Sequence, residues 1–419
     1  MGLSSCSRWF ARGAVIALLS VQPGAATAQE TAGPTNSAAI EATFLQGLQS
    51  LEANRPDIAI RIFSAILASN PELVRVRLEL ARAYFQARQW SRARAEFFRT
   101  LSADLPEPVR QNVLRFIRQI DARRGFDWNL SVALKNLGDT RDYDSDEFLA
   151  DIDGNLVPFR LNRSDDTEIG LKIVGDFTLR RRVPLSFGQQ TSTTAFAQLA
   201  YDIEEARNSD LDDVTLRLRF GLNIVEALTT YSPAVFVGRR YIAGEAYEDA
   251  VGLQFSFERR NVVGGSVFGF VSYSDLENDF SDNLDGSLTR ASLGFRRSIG
   301  GRALIGASLL YEHKDVDFDL DHYKAYSLNL FGSIDVRNGF TLAPRLAVEF
   351  KNFEDPSPLF VDNPDEESIV AGLRVEKNDF FILDGFSPFL DVSFRRTETD
   401  IDAFSYDETE VSLGLSRRF

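Results

Sequence analysis

The chain has 419 residues, with 61 acidic against 46 basic side chains and a net charge of −15. That acidic excess excludes nucleic acid as a partner, because phosphate binding needs clustered positive charge. No run of roughly 18 apolar residues follows the N-terminal segment, which excludes a helical membrane protein. A mean hydropathy of −0.16 leaves one membrane solution, a β-barrel, whose oily positions alternate and barely register in bulk hydropathy.

The N-terminus reads as an export signal over residues 1–28. Arg8 and Arg12 supply the positive region, Ala14–Leu19 is a short apolar run, and Ala26-Thr27-Ala28 is an A-x-A cleavage pattern before Gln29. Cys6, the only cysteine, precedes the apolar run, so it is not a lipid-attachment site. The exported chain is expected to hold together without disulfides.

Residues 37–124 carry a helical period and a repeat of 34 residues. Gly47, Ala59, Phe63 and Pro71 in the first unit correspond to Ala81, Ala93, Phe97 and, shifted by one, Pro106 in the second. Small residues where helices cross, with an aromatic between them, resemble the tetratricopeptide repeat. The prolines end the second helix of each unit. A last helix over about 107–124 is expected to cap the stack; a plain helical bundle with the same spacing is the alternative. Arg75, Arg77, Arg82, Arg88, Arg92, Arg94 and Arg99 make this segment basic within an acidic chain. They form either an ordinary solvated face or a seat for an acidic client segment.

From Phe126 the period becomes two. Val214, Leu216, Leu218, Phe220, Leu222 and Ile224 alternate with Thr215, Arg217, Arg219, Gly221 and Asn223. A soluble sandwich alternates in the same way, so loop lengths have to decide. Fourteen strands are expected over 126–419, starting near 127, 167, 191, 212, 230, 246, 262, 287, 302, 323, 340, 366, 384 and 405. Connections after even-numbered strands are short, as at Ile299-Gly300-Gly301, whereas those at 138–165, 274–286, 314–322 and 352–365 are longer and acidic. Short turns on one rim and long loops on the other mark an outer-membrane barrel. An even strand count puts both ends of the barrel on the short-turn rim, which places the repeats in the periplasm of a Gram-negative cell. Val411, Leu413, Leu415 and the terminal Phe419 form an alternating last strand of the kind read by the barrel assembly machinery.

Strand parity turns Arg217, Arg219, Arg290, Arg296, Arg345, Arg374 and Arg395 into the lumen, with Glu258, Glu349, Glu376 and Asp391. They either line a conduit or brace the wall as cross-strand ion pairs. No catalytic residue, cofactor or metal site is expected. The two histidines, His313 and His322, flank the acidic run Asp315–Asp321 without a nucleophile or base pattern. The acidic loop Asp275–Asp285 lacks the spacing of a calcium loop and is expected to be solvated.

Two tetratricopeptide-like units ahead of a fourteen-strand barrel resemble the surface lipoprotein assembly modifiers, outer-membrane proteins of type XI secretion. The closing stretch carries the likeness further: Phe394-Arg395-Arg396, then Tyr406-Asp407, then Val411–Phe419 with its V-x-L-G-L core. The resemblance implies a translocator that brings particular lipoproteins, or secreted scavenging proteins, to the cell surface. Its partners would be that client, the barrel assembly machinery and outer-membrane lipids. The short repeat array departs from longer members of the family. Two competing readings are a tetratricopeptide–barrel polysaccharide exporter, which carries longer arrays, and a passive porin, which needs no repeats.

Overall fold

A computed structural model describes residues 34–418, apart from 102, 104, 124, 139, 153–154, 163–166, 186, 188–190, 262–263, 301, 319–320, 355–363, 379 and 381–385. The expected export signal and the terminal Phe419 lie outside the described residues. Five helices come first: α1 (Pro34–Glu52), α2 (Pro56–Ser69), α3 (Val74–Gln86), α4 (Trp90–Leu101) and α5 (Glu107–Arg123). Pro56 opens α2 at a position whose N–H has no intrahelical partner in any case.

The repeat is visible in the backbone as well as in the side chains. Asn54 and Arg88, 34 residues apart, both adopt the left-handed conformation, with φ of 54° and 57°. The hydrogen bonds around them repeat atom for atom. Ala53 and Arg55 donate to Gln49 and Ser50 in the first turn, and Ala87 and Gln89 donate to Ala83 and Tyr84 in the second. Ala59, Phe63, Ala81, Ala93 and Phe97 are all fully buried. Gly47 sits where a Cβ would meet Phe63 at 2.4 Å, so the first helix crossing tolerates no side chain there. Pro71 follows the end of α2 and its carbonyl accepts from Arg77. Two clusters result. One joins α1, α2 and α3 around Phe44 and Phe63, and the other joins α3, α4 and α5 around Phe97, Val113 and Ile120, with α3 shared.

Fourteen long strands follow α5 and close into an antiparallel barrel. They are β1 (Phe126–Gly138), β5 (Thr167–Val183), β6 (Thr191–Glu205), β7 (Asp213–Glu226), β8 (Thr229–Ile242), β9 (Glu245–Arg260) and β10 (Gly265–Asn278). The circuit continues with β11 (Gly286–Ile299), β12 (Ala303–Val316), β13 (Tyr323–Asp335), β14 (Phe340–Phe353), β15 (Glu366–Lys377), β16 (Ser387–Thr399) and β17 (Tyr406–Arg418). Every expected start lies within three residues of the observed one. Closure is made by β1 on β17, with Asn129–Lys135 opposite Ser412–Arg418. Above that ladder, the side chain of Asn136 takes over the backbone's role: it donates to the Thr409 carbonyl and accepts from Val411 N–H. Closure leaves no row of unpaired peptide groups, which is the condition for crossing a bilayer with strands.

Pairing also settles which face is oily. Leu293, Leu309, Leu328, Val348 and Ile369 stand side by side across five consecutive strands, and all of their side chains are on the outer wall. Leu309 is 60 % exposed and Leu253 62 % exposed in the chain alone. The opposite face carries Arg290, Ser292, Glu312 and Glu349. A soluble sandwich would bury the first set and wet the second; here the polarity is inverted. An apolar belt of this extent requires hydrocarbon around it.

The loop expectation needs two corrections. The 138–165 connection holds three short strands: β2 (Arg141–Tyr143), which pairs with the start of β17, and the hairpin β3 (Glu147–Ile152) with β4 (Asn155–Arg160). The acidic loop is stiffened because Arg396 on β16 donates two bonds to Asp144, at 2.8 and 2.5 Å, and holds its carboxyl below the usual carboxylate range. One long-rim connection is also short. Ala243 and Gly244, at φ of 53° and 79°, make a two-residue hairpin turn between β8 and β9.

Candidate functional site

The helical segment enters the barrel directly: α5 ends at Arg123 and β1 begins at Phe126 on the short-turn rim. Helix α4 therefore lies at that mouth. A cavity of about 750 Å³ separates α4 from the ends of β13–β17. Its helical wall presents Arg92, Arg94 and Arg99 with Glu96 among them, and its barrel wall presents Asp335, Arg374, Glu376 and Arg417. A second cavity of about 350 Å³ lies further into the lumen, between β1 and β5 on one side and β14–β17 on the other. Arg374 and Ser416 line both, so the two spaces meet at their level.

Much of the basic face of the repeats is spoken for within the domain. Arg77 and Arg99 bracket Glu96, at 3.1 and 2.5 Å, and Arg82 pairs with Glu79 at 2.7 Å. Arg75 lies over the Phe44 ring and Arg94 over Phe98. The cavity wall is thus a preset arrangement of guanidinium groups and not a mobile brush. Held guanidinium planes lose less entropy on meeting a carboxylate.

The lumen arginines take up distinct duties. Arg290 donates to Glu312 at 2.5 Å, Arg296 to Glu258 at 2.7 Å and to Ser266 at 3.0 Å, and Arg345 makes a two-pronged pair with Asp391 at 2.8 and 3.1 Å. Glu349 accepts from Ser327 at 2.8 Å. The others lie on aromatic rings. Arg217 covers Phe236 at 4.9 Å, Arg219 covers Phe196 at 5.3 Å and Arg374 covers Phe389 at 3.7 Å, with Arg219 also donating to Gln198. Arg395 shares the inward face through its pairing opposite Val370 and Glu408.

Beneath the rings lies a feature the sequence reading missed. The rings of Phe196, Phe236, Phe268 and Phe331 reach over Gly221, Gly252, Gly294 and Gly306 on neighbouring strands, each where a Cβ would come within 2.4–2.7 Å of the ring. Glycine, phenylalanine and arginine stack from the wall into the lumen in three of these places, with Arg219 on Phe196, Arg217 on Phe236 and Arg296, at 5.5 Å, on Phe268. An inward Gly one strand from an inward Phe is the signal that would have found it, once register is known. At the seam, Lys135 bridges Glu204 and Glu410 at 3.0 and 2.7 Å, and Lys172 adds a 2.6 Å bond to Glu204, tying β1, β5, β6 and β17 together.

The reading of the histidines also changes. His313 and His322 converge on Glu354, which the linear pattern did not associate with them. Of the expected assembly signal, Val411, Leu413 and Leu415 alternate outward on β17, opposite Val392, Leu390 and Pro388.

Comparison with known proteins agrees with this architecture. The family model described as surface lipoprotein assembly modifier matches residues 175–419, and a tetratricopeptide repeat model matches residues 50–114. Surface lipoprotein assembly modifier 1 of Neisseria meningitidis serogroup B (strain ATCC BAA-335 / MC58) is 23% identical over 392 residues, covering 90% of this chain and 76% of the relative. Among solved structures, outer-membrane expressed OmpT of Vibrio cholerae superposes with a TM-score of 0.37 at 10% identity, covering 70% of this chain and 97% of that one. A bacterial polysaccharide outer membrane secretin superposes with a TM-score of 0.36 at 12% identity, covering 70% and 98%. Superpositions this loose carry no weight for mechanism. The family model spans more than half of the chain, including all of the barrel from the middle of β5 onward. The chain is an outer-membrane β-barrel with a tetratricopeptide-like helical segment, and it belongs to the surface lipoprotein assembly modifier family.

Proposed function

We propose that this protein is a translocator that carries particular lipoproteins, or secreted proteins, to the cell surface, and that the repeats face the periplasm and receive the client. The observation that carries this reading is the cavity at the short-turn mouth, where α4 presents Arg92, Arg94 and Arg99 to the entrance of the lumen. A porin has no use for a preset cationic shelf across its entrance. A client with an acidic or extended segment has: the held guanidinium groups of Arg92 and Arg94, beside the Arg99–Glu96 pair, meet carboxylates or backbone carbonyls with little reorganisation. The mixed-sign lumen wall beyond it, with arginines paired or laid on rings, offers polar contacts of both signs and no deep trap for either. That suits a polypeptide in transit better than a glycan, which would favour a track of aromatic faces.

On this reading the chain performs no catalytic step and needs no nucleotide. The energy comes from client folding outside the cell or from partner proteins, and assembly of the barrel itself falls to the barrel assembly machinery. Lipids of the outer membrane cover the apolar belt. Surface-exposed proteins are shaved with protease and quantified in wild type, in a deletion strain, and in the deletion strain expressing Arg92→Glu/Arg94→Glu/Arg99→Glu. The expected result is loss of one or a few proteins from the surface of the deletion strain, with the triple variant inserted normally yet failing to restore them. Unchanged surface proteins in the deletion strain would overturn the proposal. Loss of surface polysaccharide in their place would establish the exporter reading.

A further inference from the structure

The long-loop rim holds a constellation that translocation does not use. The only two histidines of the chain, His313 and His322, point their Nε2 atoms at the same oxygen of Glu354, each at 3.0 Å. All three donor atoms lie within 4.8 Å of one another. We propose that His313, His322 and Glu354 form a binding site for a divalent transition metal of the zinc class, set on the outer wall where β12, the β12–β13 connection and the end of β14 meet.

The placement is built by the backbone. His313 is the outward residue of β12 opposite Lys324 on β13. His322 is held by its N–H on the Phe318 carbonyl at 3.0 Å, and Glu354 by its N–H on the His322 carbonyl at 3.1 Å. The three side chains are 19–30 % exposed, screened enough to fix their rotamers yet open to an ion from outside. Lys324 completes the arrangement from the other side. It pairs with Oε1 of Glu354, leaving Oε2 to the histidines, and that pairing is the foremost reason the carboxyl sits below its usual range. Orientation of a ligating carboxylate by a second partner is a regular part of metal sites.

The spacing and chemistry select the metal. Four donors at about 2.0–2.1 Å from zinc stand roughly 3.3 Å apart along a tetrahedral edge. The observed 3.0 Å contacts open by a few tenths of an ångström, and the two imidazole nitrogens, which lie within 4.8 Å of each other, draw in to the same edge length by side-chain rotation. Neutral imidazole offers its Nε2 lone pair with the proton on Nδ1. Two imidazoles and one carboxylate suit zinc, nickel or copper and do not suit calcium or magnesium, which want oxygen throughout. Asp315, whose Oδ1 is 3.7 Å from His322 Nε2, stands beside the fourth position, which water would otherwise fill. A bound ion would staple His322, just ahead of β13, to the end of β14 at the outer rim.

The inference stands apart from the translocation reading and is tested without it. Full-length protein in detergent is dialysed against micromolar zinc chloride and its metal content measured. Cobalt(II) is then titrated in its place and followed by its visible ligand-field absorption. The expected result is one equivalent of zinc, a tetrahedral cobalt spectrum, and about tenfold or greater weakening in His313→Ala, His322→Ala and Glu354→Gln, with Lys324→Met weakening binding by about tenfold. Heat-modifiable migration on gels confirms that each variant barrel is folded. Absence of saturable binding in the wild type, or binding that all three ligand variants retain, would overturn the site and leave a hydrogen-bonded brace. Calcium binding that displaces zinc would equally overturn it.

Discussion

Replacing Phe97 with alanine separates the repeat segment from the barrel energetically. Phe97 is fully buried, its ring stacks on Phe116 at 5.1 Å and 11°, and it sits among Ala93, Val113, Ile117 and Ile120. Truncating a buried phenylalanine costs about 3–5 kcal/mol, the lost ring pair included. A helical unit of this size has a total stability of about 5–10 kcal/mol. At about 4 kcal/mol the unfolded fraction of α3–α5 rises roughly a thousandfold. The barrel should be untouched, because its strands are held by closed ladders with no side chain of that cluster among them. Hydrogen exchange of the full-length protein in detergent reads this directly. Protection in peptides from α3–α5 should fall by about a thousandfold while that of β11–β13 stays constant. Phe97→Leu, which keeps most of the volume, should lose no more than about 1.5 kcal/mol. Unchanged protection in α3–α5 would refute the packing argument, and equal loss in the strands would refute the independence of the two parts.

Two further predictions concern the barrel. A leucine at Gly306 would place its Cβ about where the Phe331 ring now lies, 2.4 Å from Cζ, so Gly306→Leu should destabilise by about 1–3 kcal/mol. The double variant with Phe331→Ala should recover part of that loss in urea unfolding, and additive losses would show that the ring does not rest on the glycine. The second concerns pH. The Arg396 guanidinium lowers the Asp144 carboxyl in the folded state. The contribution of that pair is therefore present above the unfolded value of about 3.9 and is lost as the pH falls through the depressed folded value. Protease access to the 140–146 segment should be low at pH 6 and rise only below about pH 4; Asp144→Asn should be open at both. A wild-type segment that opens between pH 7 and 5 would contradict the assignment.

Alternation along a strand and the repeat of helical positions are local properties, so they can be read from the chain alone. Val214–Ile224 against Thr215–Asn223 already divides lipid from lumen, because successive strand side chains point to opposite faces. Phe63 and Phe97 carry the helical repeat for the same reason: one buried position per unit recurs wherever units stack. The inward turn of Arg217, Arg290 and Arg345 follows from that parity, but their partners do not. Arg290 meets Glu312 and Arg345 meets Asp391 only because the ladders place particular residues of different strands side by side. A single residue of slip would exchange every partner and both faces. The convergence of His313 and His322 on Glu354, and the approach of α4 to the mouth, lie a step further away. They depend on where three strand ends and two connections finish in space, which is the outcome of barrel closure and helix packing and has no periodic trace in the chain.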